Sequence, residues 1–230
     1  MSGIPNHVAI ILDGNRRWAA KQNKKSVEGH KKGLDNLADL AEHIYRRGIK
    51  VLSVYAFSTE NFKRTTEEVN YIMKMFVDNV DKALKKLGDT KIKIVFSGRK
   101  TGLSEEVVNK IKELEENSKN NDVGIFNVCF NYGGHTEIVD AAKKIIEEGI
   151  KSEDIDEEVF RKHLYHDLPP VDLMIRPGGE LRLSNFLLWQ NSYAEFYFTD
   201  ILFPDFNVVE FDKVIVEYEN RNRRFGGNAK

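Results

Sequence analysis

The first residues able to do chemistry in this 230-residue chain are Asp13-Gly14-Asn15-Arg16-Arg17, where a carboxylate, turn formers and two guanidinium groups share one short stretch. Arginine's planar fork suits phosphate oxygens. A carboxylate beside them would repel a phosphate unless a divalent cation lay between the two, as Mg²⁺ commonly does. The plain alternative gives Asp13 a helix cap or an Asx turn and no chemistry. Arginine recurs at Arg64, Arg176 and Arg182. Gly178-Gly179 permits close backbone approach to a ligand, and Arg182 with Ser184 could then clasp an anion. Taken singly, arginines in loops are ordinarily solvated surface charge. Glu195, inside Tyr193-Ala194-Glu195-Phe196-Tyr197-Phe198, is either an arginine's ion-pair partner or a second metal ligand. His30 follows a glycine at the start of a helical pattern, where its ring could meet an anion; His43 and His163 read as ordinary surface or core residues.

Strands and helices must bring these groups together. Val8 to Leu12 is an uninterrupted apolar run, long enough for a buried parallel strand and too short for a helix. It stops in turn chemistry, and helical spacing follows with Trp18 and Ala19 as its first apolar positions. Such a turn collects backbone N–H groups and the positive end of a helix dipole, which favours an anion. Gln22 to Gly29 reads as a loop. A helix is predicted over His30 to Arg47, and a second buried strand over Val51 to Phe57 ending in the polar loop Ser58 to Arg64. Thr65 and Glu68 form a capping box for a long helix to Leu87, whose stripe is either core or the wall of a hydrocarbon tunnel. Further strands are predicted over Lys91–Phe96, Gly124–Phe130 and Val171–Ile175, with helices from Ser104, from Thr136 to Gly149 and over Asp156–Tyr165. Alternating strands and helices imply one α/β domain over 1–230, a mostly parallel sheet flanked by helices on both faces. Ligands in such sheets bind at the carboxyl ends of strands, and the polar loops all fall there.

Composition narrows the function. Charged residues are 31% of the chain but the net charge is -1, so there is no overall basic field for nucleic acid. One cysteine, Cys129, excludes an intramolecular disulfide and a cysteine zinc cluster. No apolar run reaches membrane-spanning length and no signal pattern opens the chain, so a soluble cytoplasmic protein is expected. Dinucleotide and P-loop glycine signatures are absent. A phosphatase of the haloacid-dehalogenase kind needs a nucleophilic aspartate where this chain has Ile11.

Asp13-Gly14-Asn15-Arg16-Arg17-Trp18-Ala19, Gly29-His30, Tyr55 to Phe62, Asn131-Tyr132-Gly133-Gly134, Arg176 to Gln190, Tyr193-Ala194-Glu195 and Arg223 to Gly227 together resemble the cis-prenyltransferase family, typified by undecaprenyl diphosphate synthases. The resemblance implies an undecaprenyl diphosphate synthase-like fold and addition of isopentenyl diphosphate to an allylic diphosphate with cis double bonds. It gives Asp13 the Mg²⁺ held against the allylic diphosphate, with Glu195 as a further metal contact. Gly14, Asn15, Arg16, Arg17, His30 and Arg64 would bind the allylic diphosphate; Arg176, Arg182, Leu183 and Ser184 would bind isopentenyl diphosphate. Ser58, Thr59, Glu60 and Asn61 would lie by the reacting carbons, with Asn61 or a diphosphate oxygen taking the proton; Trp18 and Phe62 would pack by the substrates. Val69 to Leu87, the helix from His30, and Ala56 are the implied tunnel walls. A homodimer is implied, Arg224-Phe225-Gly226 reaching the partner's site, and room is left for peripheral membrane association at product release. Ser26 stands where the family pattern has an arginine of the allylic site, Pro177 replaces a small hydroxyl residue and Phe62 a tryptophan; these bear on the primer more than on the reaction class. The competing reading is a non-catalytic prenyl-diphosphate-binding or partner subunit of the same fold, which tends to lose the metal aspartate that Asp13 supplies here.

Overall fold

The opening apolar run folds as β1 (His7–Ile11), and every one of its residues is buried. Val8 and Ile10 enter one core cluster, Ala9 and Ile11 another. A strand covered on both faces has no solvent side, which is why its sequence shows no polar alternation. The computed structural model describes residues 3–85 and 91–221. β2 (Val51–Ser58), β3 (Ile92–Ser97), β4 (Gly124–Tyr132), β5 (Leu173–Pro177) and β6 (Glu195–Thr199) complete a six-stranded sheet in the order β3-β4-β2-β1-β5-β6. Each neighbouring pair is parallel, so all the carboxyl ends open on one edge.

The helices are α1 (Asn15–Lys21), α2 (Ser26–Arg46), α3 (Thr66–Lys85), α4 (Glu105–Ser118), α5 (Gly134–Glu147), α6 (Glu157–Lys162) and α7 (Val208–Asn220). Leu37, Leu40 and Ile44 of α2, Ile72, Phe76 and Val80 of α3, Ile111 of α4 and Phe211 and Ile215 of α7 share a core with one face of the sheet. The opposite face buries Tyr55, Cys129, Tyr132 and Met174 under Phe186 and Leu187. Glu137 of α5, 2% exposed, accepts a hydrogen bond from the Tyr132 hydroxyl at 2.6 Å. At about 1.5–3 kcal/mol for each fully buried large apolar side chain, these two layers dominate the stability.

Two differences from the sequence reading concern element limits. α2 begins at Ser26, so the second half of the expected Gln22–Gly29 loop is helix. Glycines weaken a helix by about 1 kcal/mol each, but here they are required by packing. A Cβ on Gly29 would stand 2.0 Å from the Asn15 carbonyl oxygen, and one on Gly33 would stand 2.2 Å from Asn15 Oδ1. The two glycines thus let α2 lie directly against the start of α1. The second difference is β6, formed by a run of aromatics with no clear polar alternation and only partly buried. Leu87 and Arg224-Phe225-Gly226 lie outside the described residues.

Candidate active site

Asp13 directly follows the turn after β1, level with the end of β5, and its carboxylate bridges two cations. Arg17 Nη2 is 3.0 Å from Oδ1 and Arg176 Nη2 is 2.9 Å from Oδ2. Arg17 lies one helical turn beyond Asp13 and also donates to the Gly178 carbonyl at 2.5 Å. Arg176, on β5, is 4% exposed and donates to Ser184 Oγ at 2.9 Å and to the Arg182 carbonyl. Its buried Nε has no partner among the described residues. Arg182 is more exposed and pairs with Glu180 at 2.6 Å. β1, α1 and β5 therefore place a carboxylate and a fixed fork of guanidinium groups at one sheet edge.

A second cationic group faces it. Arg64 Nη1 lies 2.9 Å, Arg16 Nη1 3.5 Å and His30 Nε2 3.9 Å from the carboxylate of Glu68. Glu68 was legible in the sequence only as a capping residue. Its backbone N–H does reach Thr65 Oγ1, at 3.4 Å, but its side chain faces two arginines and the His30 ring. Burial, and then the neighbouring Arg64, lower the His30 pKa to about 4, so the ring is neutral near pH 7. Its Nε2, like Asn15 Oδ1, is buried without a hydrogen-bond partner among the described residues.

These groups line a cavity of about 480 Å³ bounded by Leu12 to Arg17, His30 and Arg64. It shares Leu12, Asp13, Asn15, His30 and Arg64 with a second, apolar cavity of about 390 Å³. Leu34, Leu37, Ala38 and Ala41 of α2, Ile72, Met75, Phe76 and Val80 of α3, and Ala56, Phe126 and Phe130 from the sheet form its walls. The α2 and α3 stripes and Ala56 thus lie where the sequence reading placed tunnel walls. Arg176, Arg182, Ser184, Ser58 and Asn61 line the apolar cavity too.

The loop after β2 is a single 3₁₀ turn, Thr59–Lys63. Ser58 N donates to Asn61 Oδ1 at 3.1 Å within a reciprocal cap. The Asn61 side-chain oxygen therefore accepts one hydrogen bond and keeps a second lone pair. Partial burial opposes ionisation of Glu60, yet hydrogen bonds from its own backbone N–H and from Asn185, Ser58 and Thr59 hold its carboxyl below the usual range. Tyr55 donates to the Tyr132 and Ser184 carbonyls at 3.2 and 3.3 Å, tying the loops together from beneath.

Several expected site residues lie elsewhere. Trp18 is 7% exposed, packs with Ala19 and Leu202 and donates to Asp205 at 2.8 Å; its ring is anchored into the core and lines neither cavity. Leu183 packs on the opposite-face core. Ser26 opens α2 with a buried, unpartnered hydroxyl, away from both cavity walls. Phe62 is 40% exposed with its ring edge-on to Phe57 at 5.0 Å.

Glu195 lies apart from Asp13 within one chain. It pairs in register with Leu173, which pairs with Val8. That puts it at the amino edge of the sheet, roughly 16 Å along the strands from Asp13 at about 3.3 Å per residue. Its carboxylate is 3.0 Å from Arg221, an ion pair of the kind the sequence reading allowed.

Among the described residues no three histidine, cysteine or acidic side chains cluster as a complete metal cage. Asp13 at the mouth of both cavities still fits Mg²⁺, a hard ion that takes one or two carboxylates and completes its shell with water and phosphate oxygens. No helix among the described residues is long and apolar enough to cross a membrane.

The family profile described as undecaprenyl diphosphate synthase matches residues 11–226. An isoprenyl transferase of Fusobacterium nucleatum is 48% identical over 224 residues, covering 97% of this chain and 96% of its own. A ditrans,polycis-undecaprenyl-diphosphate synthase of Haemophilus influenzae, (2E,6E)-farnesyl-diphosphate specific, is 43% identical over 231 residues and covers 98% and 97%. Among solved structures, lavandulyl diphosphate synthase from Lavandula x intermedia in complex with dimethylallyl diphosphate has a TM-score of 0.92 at 39% identity, over 97% of this chain and 98% of that one.

Proposed function

The chain belongs to the undecaprenyl diphosphate synthase family, and from that premise we propose that it is an Mg²⁺-dependent cis-prenyltransferase. It adds isopentenyl diphosphate units to an allylic diphosphate and releases a polyprenyl diphosphate. One observation carries the reading: a cationic mouth built on Asp13 opens directly into an apolar cavity between α2, α3 and the sheet. A diphosphate with a hydrocarbon tail needs both, in that order.

Gly14, Asn15, Arg16, Arg17, His30 and Arg64 bind the allylic diphosphate. Asp13 would hold the Mg²⁺, whose contribution when bound is to neutralise charge growing on the departing diphosphate oxygens. Arg176, Arg182 and Ser184 hold isopentenyl diphosphate. As the allylic carbon–oxygen bond breaks, the arginines stabilise charge they already face, with no reorganisation at the moment of reaction. The isopentenyl double bond attacks the allylic carbon, and loss of a proton forms the new double bond. An amide oxygen is a poor base, so a diphosphate oxygen takes that proton. The lengthening chain moves into the apolar cavity as each product becomes the next primer. The farnesyl-diphosphate specificity of the Haemophilus influenzae relative makes farnesyl diphosphate the first primer to try.

The enzyme works as a homodimer. The supporting feature is β6 at the sheet edge with Tyr193 67% and Phe196 39% exposed; a monomer-sized species in light scattering at assay concentration would overturn this part.

Labelled isopentenyl diphosphate should enter farnesyl diphosphate only with Mg²⁺ present. Asp13→Asn should lower that incorporation by about 10²–10³, the size of losing one preorganised electrostatic contact. Undiminished incorporation after chelation, or full activity in the variant, would refute the reading.

A further inference from the structure

Ser184, Asn185 and Leu187 carry φ values of +50°, +65° and +45°. Non-glycine residues are uncommon in that region, asparagine being among those that tolerate it, and such local strain persists only where the surroundings fix it. Asn185 is fixed from two loops. α5 begins at Gly133 with no side-chain cap, and Asn185 supplies the missing acceptors from 50 residues away. Its carbonyl oxygen takes Gly134 N–H at 2.7 Å and its Oδ1 takes His135 N–H at 2.8 Å. With Oδ1 so committed, the side-chain nitrogen points the other way and donates to Glu60 Oε1 at 3.1 Å. The fit is close: a Cβ on Gly133 would stand 2.7 Å from Asn185 Nδ2 and 2.9 Å from Thr59 Oγ1. Next along the chain, Ser184 Oγ accepts from Arg176.

We propose that Asn185 is a positioning residue for the condensation: it caps α5 with one side of its amide and with the other holds Glu60, on the turn whose Ser58 and Asn61 line the apolar cavity together with Arg176 and Ser184. The inference rests on the activity proposed above. It joins the ends of β2, β4 and β5 through one side chain, so Glu60 is set relative to the isopentenyl site by a bond rather than by the exposed turn that carries it.

Asparagine and aspartate are equally good helix caps, which separates capping from holding Glu60. Asn185→Asp keeps the acceptor for His135 N–H, removes the donor and sets a carboxylate against Glu60. The expected result is a melting temperature near wild type, a kcat lowered by roughly 10- to 100-fold as for a misplaced group, and an unchanged KM for the allylic diphosphate. Asn185→Ser, which retains an acceptor but cannot reach Glu60, should show the same split. In a Glu60→Gln background the amide introduced at position 60 can donate to the carboxylate introduced at position 185, so Asn185→Asp should cost less than about twofold there. Wild-type kcat in either single variant at position 185, or the same loss from Asn185→Asp in the Glu60→Gln background as in the wild type, overturns the proposal. An active wild type matched by Asn185→Asp refutes the clamp alone; a wild type that incorporates no isopentenyl diphosphate refutes the activity and the clamp with it.

Discussion

At the scale of single residues, what decides the site is how charges are shared. Asp13 serves two arginines and Glu68 serves two arginines and a histidine, so neither cationic group repels itself apart. Asp13 and Arg176 were legible because a carboxylate and an arginine at the ends of apolar runs have few other uses. Glu68 and Asn185 were not, because their partners are brought in from other elements and leave no mark at local spacing. Trp18 was legible for a different reason: its helical spacing marked it as core, and it is buried with Ala19 and Leu202. Asn15 tests the packing beneath the mouth. Gly33→Ala puts a methyl group where Asn15 Oδ1 now lies, 2.2 Å away. Overpacking of this kind costs about 1–3 kcal/mol, and moving Asn15 disturbs Asp13 two residues before it. The variant should melt at lower temperature and show a raised KM for the allylic diphosphate; an unchanged KM would show that Asn15 does not set the mouth.

At the scale of elements, the strands were readable wherever burial on both faces made an apolar run, as in β1, β2, β4 and β5. β6 was hidden because its alternate faces are both aromatic and partly exposed. The start of α2 was hidden because a polar stretch ending in Gly29, a glycine that packing demands, reads as a loop. The apolar cavity depends on α2 and α3 standing apart, and on a group of rings at one side of it. Phe76 of α3 lies 4.7 Å from Phe130 and 5.7 Å from Phe96, centroid to centroid. Phe76→Ala would remove a wall rather than a contact with diphosphate. It should cost up to about 3–5 kcal/mol of stability, leave the KM for isopentenyl diphosphate near wild type and shift the products to longer chains in mass spectra. Products of unchanged length would mean that Phe76 does not bound the growing chain.

At the scale of the whole molecule, a row of buried polar groups crosses four strands on the face away from the cavity, and it makes stability depend on pH. His7 Nδ1 lies 2.8 Å from the Pro169 carbonyl, so it must carry the proton, and Nε2 then accepts from Ser53 Oγ at 2.8 Å. Asn127 Nδ2 donates to Ser53 Oγ at 3.0 Å and Ser97 Oγ donates to Asn127 Oδ1 at 2.8 Å. Every donor has an acceptor as long as His7 is neutral. A second proton on the ring would turn Nε2 into a donor and strand the Ser53 hydroxyl. Burial lowers the His7 pKa from 6.5 to about 4, a gap worth about 3 kcal/mol. The folded state therefore binds fewer protons than the unfolded one between those values. Its contribution is complete above pH 6.5 and is lost as pH falls toward 4. Burial acts in the same direction on His30 and His166. Asp140 and Asp212 have their carboxyls lowered from 3.8, so their share is lost only below that window. Urea unfolding at about pH 7.5 should give a larger free energy than at about pH 5, because the three lowered histidines outweigh Glu137 and His163, whose raised pKa values act in the opposite direction. His7→Gln keeps a donor for Pro169 and cannot titrate, so its stability should fall less steeply across the same range, by close to one proton's worth of slope. Equal slopes for the two proteins would mean that the row from His7 to Ser97 stays intact when the ring is charged.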